Sequence, residues 1–245
     1  MTTQRDPREM SFWDHVEELR KRLIRSLAAI LIISIVSYVY SDWLIELMTR
    51  HIETVYFMGP TEAFAVKIKV SLFAGLILAI PVVLYQLWQF VVPGLYAHEV
   101  KLVIPVVIFA SLFFVGGAAF CYFLVLPVGM EFLLGFGTEK MKPLISVGQY
   151  ISFVGWMTVA FGVVFQMPIV FFFLGRMGIV SSATLRRGRR YAVISILIVA
   201  AAVTPSPDVF SQLMLAGPLY VLYEASVILV RLTGRRELPH PRASD

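Results

Sequence analysis

The chain predicts an all-α integral membrane protein: six transmembrane helices, both termini in the cytoplasm, and an interfacial helix ahead of the first span. Three observations carry that expectation. Hydrophobic residues make up 58% of the 245 and charged residues 15%, with a mean hydropathy of +0.80. A soluble domain of this size lacks the interior to hide that much apolar surface. The apolar residues fall into six segments. Finally, the basic residues alternate between loops: sixteen of the 21 Lys and Arg lie in the N-terminal tail, at Lys101, in 176–190 and in the C-terminal tail. Arg50, Lys67, Lys69, Lys140 and Lys142 lie on the other side. Basic loops resist translocation, so the richer set faces the cytoplasm.

Taken in order, residues 11–23 form the interfacial element. Ser11 is an N-cap, and Phe12, Val16, Leu19 and Leu23 recur at helical spacing. This helix should lie flat on the surface, apolar face down, before the chain turns into the bilayer. The spans are 23–40, 70–92, 102–126, 151–177, 191–203 and 209–232. The chain thus divides into a cytoplasmic interfacial segment (1–22), a six-span membrane domain (23–232) and a cytoplasmic tail (233–245) expected to be disordered. No linker or internal repeat is visible, and the first apolar segment lacks a small-residue cleavage site, so it is an anchor.

A span needs roughly 20 apolar residues, which four segments meet easily. The fifth is short: 13 residues reach about 20 Å against a hydrocarbon core of about 30 Å. Either the turn at 204–208 sits inside the nominal membrane and the bilayer thins beside it, or the helix begins at 188–190 and the mismatch largely vanishes. Pro81, Pro105, Pro168 and Pro218 lie within spans. Each removes a backbone donor and is expected to kink its helix, which suggests a curved wall with a groove.

The basic residues are juxtamembrane, where topology and anionic lipid account for them, and no basic face with interleaved aromatics marks a nucleic-acid binder. Catalytic motifs are missing. His98-Glu99 opens like a zinc-protease signature, but position 102 is Leu, and no Walker A loop or Gly-x-Ser-x-Gly elbow exists. The four histidines make no ligand cluster, and no cofactor or metal is expected. Cys121, inside an apolar run, reads as helix packing.

Two cytoplasmic carboxylates stand out. Glu18 precedes Arg22 by four residues, as Glu17 precedes Lys21, the favourable order for a helical ion pair. Glu99 lies in a short cytoplasmic loop beside a single lysine. Together, Glu18 and Glu99 could clamp a cation at the membrane surface, and a guanidinium suits them best because its planar fork meets carboxylates bidentately. Within the spans, Gln166 and Glu224 are the notable polar groups. Glu224 is a functional candidate by its depth, against snorkelling or pairing with a nearby basic side chain. Gln166 stands two residues before Pro168, against hydrogen bonding to the backbone that this proline disrupts.

Six further blocks stand in the chain: His15-Val16-Glu17-Glu18-Leu19-Arg20-Lys21-Arg22-Leu23, Pro81-Val82-Val83-Leu84-Tyr85-Gln86-Leu87-Trp88-Gln89-Phe90, Pro93-Gly94-Leu95-Tyr96-Ala97-His98-Glu99, Phe161-Gly162-Val163-Val164-Phe165, Thr204-Pro205 and Pro207-Asp208-Val209-Phe210-Ser211-Gln212. In this order they resemble the TatC family, the core receptor of the twin-arginine translocase. The resemblance implies a cup-shaped, six-span protein of a bacterial-type cytoplasmic (inner) membrane that binds twin-arginine signal peptides of folded cargo. It further implies small single-span partner subunits, self-association and use of the proton-motive force. Carried over residue by residue, Glu18 and Glu99 would form the acidic site, with Arg20, Arg22 and Phe90 nearby. Gln166 and Glu224 would line the membrane groove, and Pro205 and Asp208 would mark the short-helix turn where partners dock. Gln166 departs from relatives that often carry Glu there, and the first external loop lacks an expected proline. The rival class, a small-solute or proton-coupled secondary transporter, would want a midplane ionisable constellation from two related halves.

Overall fold

A computed structural model describes residues 12–52, 54–91, 103–135, 143–203 and 209–233. These residues are almost entirely helical. The first helix, α1 (Phe12–Val39), runs straight through the position where the interfacial helix was expected to end and the first span to begin. The reason is local: 12–40 contains neither glycine nor proline, so nothing interrupts the backbone ladder. A short α2 (Ser41–Thr49) follows at once, tied to the next helix by Asp42 and Lys67 at 2.7 Å.

The second predicted span is a bent pair, α3 (Glu62–Leu78) and α4 (Ile80–Val91), meeting at 51°. Pro81 lies at that bend, where it cannot donate to the Ile77 carbonyl. Next comes α5 (Val103–Phe120), then a single π-helical turn (Cys121–Val125) and α6 (Leu126–Leu134). The fourth predicted span is α7 (Val147–Val164) and α8 (Met167–Arg176), interrupted at Phe165 and Gln166 just ahead of Pro168. A surface helix, α9 (Ser182–Arg187), leads into α10 (Arg189–Val203) and α11 (Val209–Thr233).

The four prolines differ in setting: Pro81 and Pro168 stand at helix breaks, Pro105 lies near the start of the described part of α5, and Pro218 sits inside α11, which continues through it. Four helical stretches among the described residues are long and apolar enough to cross a membrane: Trp13–Val39, Ile104–Leu134, Val147–Arg176 and Gln212–Leu232. The α3–α4 pair adds a fifth if it crosses as one span. α10 starts at Arg189, two residues before its predicted start, and its 15 described residues reach about 22 Å. Residues 204–208, where the turn was expected, and the tail, 234–245, lie outside the described residues.

Packing is inside-out relative to a soluble bundle. On α1, Ser26, Ser34 and Ser37 are buried, with Ser41 continuing the same row, whereas Ile32, Ile35 and Val39 are exposed. Lipid solvates the apolar face, and small residues let helix backbones approach. α1 and α3 approach closely: a Cβ at Gly75 would stand 2.0 Å from Ser34 Oγ and 2.8 Å from its Cα. Across α5 and α7, a Cβ at Gly117 would stand 2.6 Å from the Phe161 carbonyl. α7 is the central helix, with Ile151, Val154 and Phe161 fully buried.

Antiparallel packing divides the functional groups between two ends. The basic end carries the start of α1, the end of α4, α9 and its arginines, and the end of α11. The cap end carries α2, the loop to α3, α6 and the start of α7.

Candidate functional site

The site is built where the start of α1 meets the end of α4. Glu18 and Arg22 lie one helical turn apart, so their side chains stack on one face of α1. Arg22 Nε donates to Glu18 Oε1 at 3.0 Å, and Arg22 Nη2 donates to the same oxygen. The pair is largely covered, with Arg22 16% and Glu18 20% exposed. Arg22 is also held from α4: its Nη1 donates to Gln89 Oε1 at 2.5 Å and reaches Gln86 Oε1 at 3.5 Å. Gln89 in turn donates to the Tyr85 phenol. The imidazole of His15 stacks on Phe90 at 4.2 Å, closing the rim.

The decisive feature is what Glu18 leaves over. Its Oε2 is buried and accepts no hydrogen bond. A buried carboxylate oxygen without a donor costs free energy that any arriving N–H relieves.

Of the expected site residues, the structure brings Glu18, Arg22 and Phe90 to one place. Arg20 is set apart: two residues rotate it roughly 200° around α1 from Glu18, onto an exposed face. Glu99, Pro205 and Asp208 lie outside the described residues. Gln166, the N-cap of α8, donates to the Ala110 carbonyl of α5 at 3.0 Å and to the Gly162 carbonyl at 3.4 Å. It thus pins the α7–α8 break to α5 and does not bond the Val164 carbonyl that Pro168 deprives. Glu224 accepts from Arg189 Nη2 at 2.7 Å through Oε2, while its Oε1 is buried without a partner. The two groove candidates therefore have different partners on different helices.

Gln86, Gln89, Tyr85 and His15 complete the site without having been assigned roles from the sequence. Their signal was present: two amides three residues apart, with a phenol one turn before the second, at the end of an otherwise apolar helix. A second cluster at the cap end was also missed. Glu62 Oε1 accepts the Gly148 N–H at 2.8 Å and the Ser146 hydroxyl, and its Oε2 accepts the Met58 N–H. Since Ser146 is the N-cap of α7, Glu62 places a carboxylate on a helix N-terminus, where unpaired N–H groups and the helix dipole favour it. A short bridge between Tyr56 and Ser146 reinforces the clasp.

A helical membrane protein with a polar, half-satisfied carboxylate site at its basic end is the class this architecture defines. The comparisons with known proteins make it particular. The family model for the Sec-independent protein translocase protein (TatC) matches residues 14–218, and the chain belongs to the TatC family. The TatC protein of Carboxydothermus hydrogenoformans is 38% identical over 241 residues, covering 97% of this chain and 99% of that one. The TatC protein of Aquifex aeolicus is 39% identical over 236 residues, covering 93% and 98%. A crystal structure of the twin arginine translocase receptor TatC superposes with a TM-score of 0.81 at 39% identity, covering 90% of this chain and all of that one.

Proposed function

We propose that this chain is the receptor subunit of a Sec-independent protein translocase, and that it recognises the arginine pair of twin-arginine signal peptides on folded cargo. The observation that carries this reading is the unpartnered, buried Oε2 of Glu18. One guanidinium of the peptide donates to that oxygen, and the second meets Glu99, which follows Phe90 in the chain. Arg22 does not compete for Oε2, because Gln89 and Glu18 Oε1 already hold its donors. Arginine is preferred over lysine because a planar fork matches a carboxylate and a point charge does not.

On this reading the basic end faces the cytoplasm of a bacterial-type inner membrane, with both termini on that side and α10 crossing as the shortest of six spans. Residues 1–22 serve the surface, 23–232 the membrane and 233–245 a cytoplasmic tail. The apolar part of the signal peptide lies along the groove toward Gln166 and Glu224. Small single-span subunits, and further copies of this chain, assemble on the short helices near Pro205 and Asp208. The proton-motive force supplies the energy. The chain is a transport component and binds no nucleic acid.

The test is binding of the purified protein to a signal peptide bearing Arg-Arg, against the same peptide bearing Lys-Lys. The unmutated protein prefers Arg-Arg, and Glu18→Gln/Glu99→Gln loses that preference while remaining folded. Retention of the preference by the folded double variant rejects the carboxylate clamp.

A further inference from the structure

We infer that the corner between α9 and α10 is a binding site for the phosphate headgroup of an anionic phospholipid. Residues 186–190 read Arg-Arg-Gly-Arg-Arg, and the structure separates the roles of the four cations. Arg189 pairs with Glu224 at 2.7 Å. Arg186 folds back on its own helix, with Nε 3.4 Å from the Ser182 carbonyl. Arg187 and Arg190 remain, and together with Thr184, Gly188 and Tyr191 they line an open cavity of about 380 Å³. No carboxylate lines it. Arg190 is steadied at the cavity by its neighbour: its Cζ lies 4.7 Å from the centre of the Tyr191 ring, and its Nη2 donates to the Tyr191 phenol at 3.0 Å, which leaves its other N–H donors for an anion.

What lies next to the cavity argues for a lipid over a soluble anion. Tyr191, Ile194 and Ile198 are 61%, 55% and 64% exposed and stand three and four residues apart, so they form one apolar stripe running down α10 from the cavity. A phosphate held by two arginines above, with acyl chains along that stripe below, matches both halves of a phospholipid. Tyrosine at the junction of charge and hydrocarbon suits the interface. A held lipid also gives α10 a defined neighbour, although its 15 residues are too few to match the full hydrocarbon thickness.

Native mass spectrometry of the full chain in detergent tests this with phosphatidylglycerol and phosphatidylcholine added in turn. The unmutated protein retains phosphatidylglycerol preferentially. In Arg187→Gln/Arg190→Gln its affinity falls about thirtyfold, which is about 2 kcal/mol for two basic residues. Arg187→Lys/Arg190→Lys keeps the charge and shows an intermediate loss, which separates headgroup geometry from net charge. Lys21→Gln/Arg25→Gln, the same charge change elsewhere at the basic end, leaves retention unchanged. An equal loss in that control overturns the proposal in favour of diffuse attraction, and so does full retention by the glutamine variant at 187 and 190. Displacement of phosphatidylglycerol by millimolar inorganic phosphate, with no lipid preference, assigns the cavity to a soluble oxyanion and overturns the lipid source.

Discussion

At the cap end, Glu62 commits both carboxylate oxygens to its own chain, accepting from Ser146, Gly148 and Met58. At the basic end, Glu18 commits one oxygen to Arg22 and keeps the other buried and bare. The partners differ in kind as well as in number. Two of the Glu62 donors are backbone N–H groups fixed by the fold, one of them in the first turn of α7. The Glu18 donor is a long side chain that two glutamines of α4 hold in place. A carboxylate saturated from its own chain is a clasp, whereas on the proposed reading one left half-satisfied in a covered setting awaits a donor from outside. Glu224 is of the second kind, with Arg189 on one oxygen and nothing on the other.

The contrast is broken most directly at Glu18. Glu18→Gln should raise the dissociation constant for an Arg-Arg signal peptide about a hundredfold, near 3 kcal/mol, the range for truncating one partner of a buried charge pair. Melting should shift less than peptide binding, because the amide oxygen that replaces the carboxylate can still accept from Arg22. Isothermal titration alongside a thermal melt checks both, and a large melting shift with intact binding would make Glu18 a clasp like Glu62. The converse experiment is Gly148→Val. A Cβ there would lie 2.7 Å from Glu62 Oε1, so the carboxylate must leave its donors. Stability should fall by about 1–3 kcal/mol, as for other overpacked sites, and proteolysis of the 50–61 loop should quicken. Peptide affinity per folded molecule should not change.

A finer test separates Glu18 from its support. Gln89→Ala leaves the carboxylate in place but frees Arg22 to swing onto Oε2, so peptide affinity should drop about tenfold, near 1.4 kcal/mol. The effect should not add to that of Glu18→Gln, because both act on one hydrogen-bond network. Full additivity in the double variant would show that Gln89 acts elsewhere.

The two ends also differ in how far the sequence discloses them. The Glu18–Arg22 pair is legible because its partners are four residues apart and helical periodicity alone joins them. The Glu62 clasp is not: its partners at 146 and 148 stand 84 and 86 residues away, and only the folded chain brings them together. Arg20 is the opposite case: a family motif groups it with Arg22, and the 3.6-residue turn sends the two to different faces. The apolar runs marked the long helices, four of which among the described residues are long and apolar enough to cross a membrane. They did not give the π turn at Cys121–Val125, since uniform apolarity carries no signal of hydrogen-bond register. Nor did they distinguish Pro81 and Pro168, which stand at helix breaks, from Pro218, which α11 runs through. Polar and charged residues at the start of α3 hid its first turns, because Glu62, Lys67 and Lys69 read as loop when their partners are unknown.

The smallest expected effect bears on kinetics. Raising salt from about 0.05 to about 0.5 M shortens the screening length from above 10 Å to a few ångströms. An arginine pair approaching this end meets its excess of cations as well as its rim carboxylates, and salt screens both over that range, so the association rate should change little. Contact with Glu18 Oε2 occurs where solvent is excluded, so the dissociation rate should stay nearly constant, as charges at a rim tune encounter and covered ones tune residence. The Glu62 clasp, closed by short hydrogen bonds within one chain, should show the same loop proteolysis at both salt concentrations. Stopped-flow binding of a labelled peptide reads both rates. If salt instead accelerates dissociation several-fold, the arginines are held by exposed charge alone, and the bare oxygen of Glu18 is not their seat.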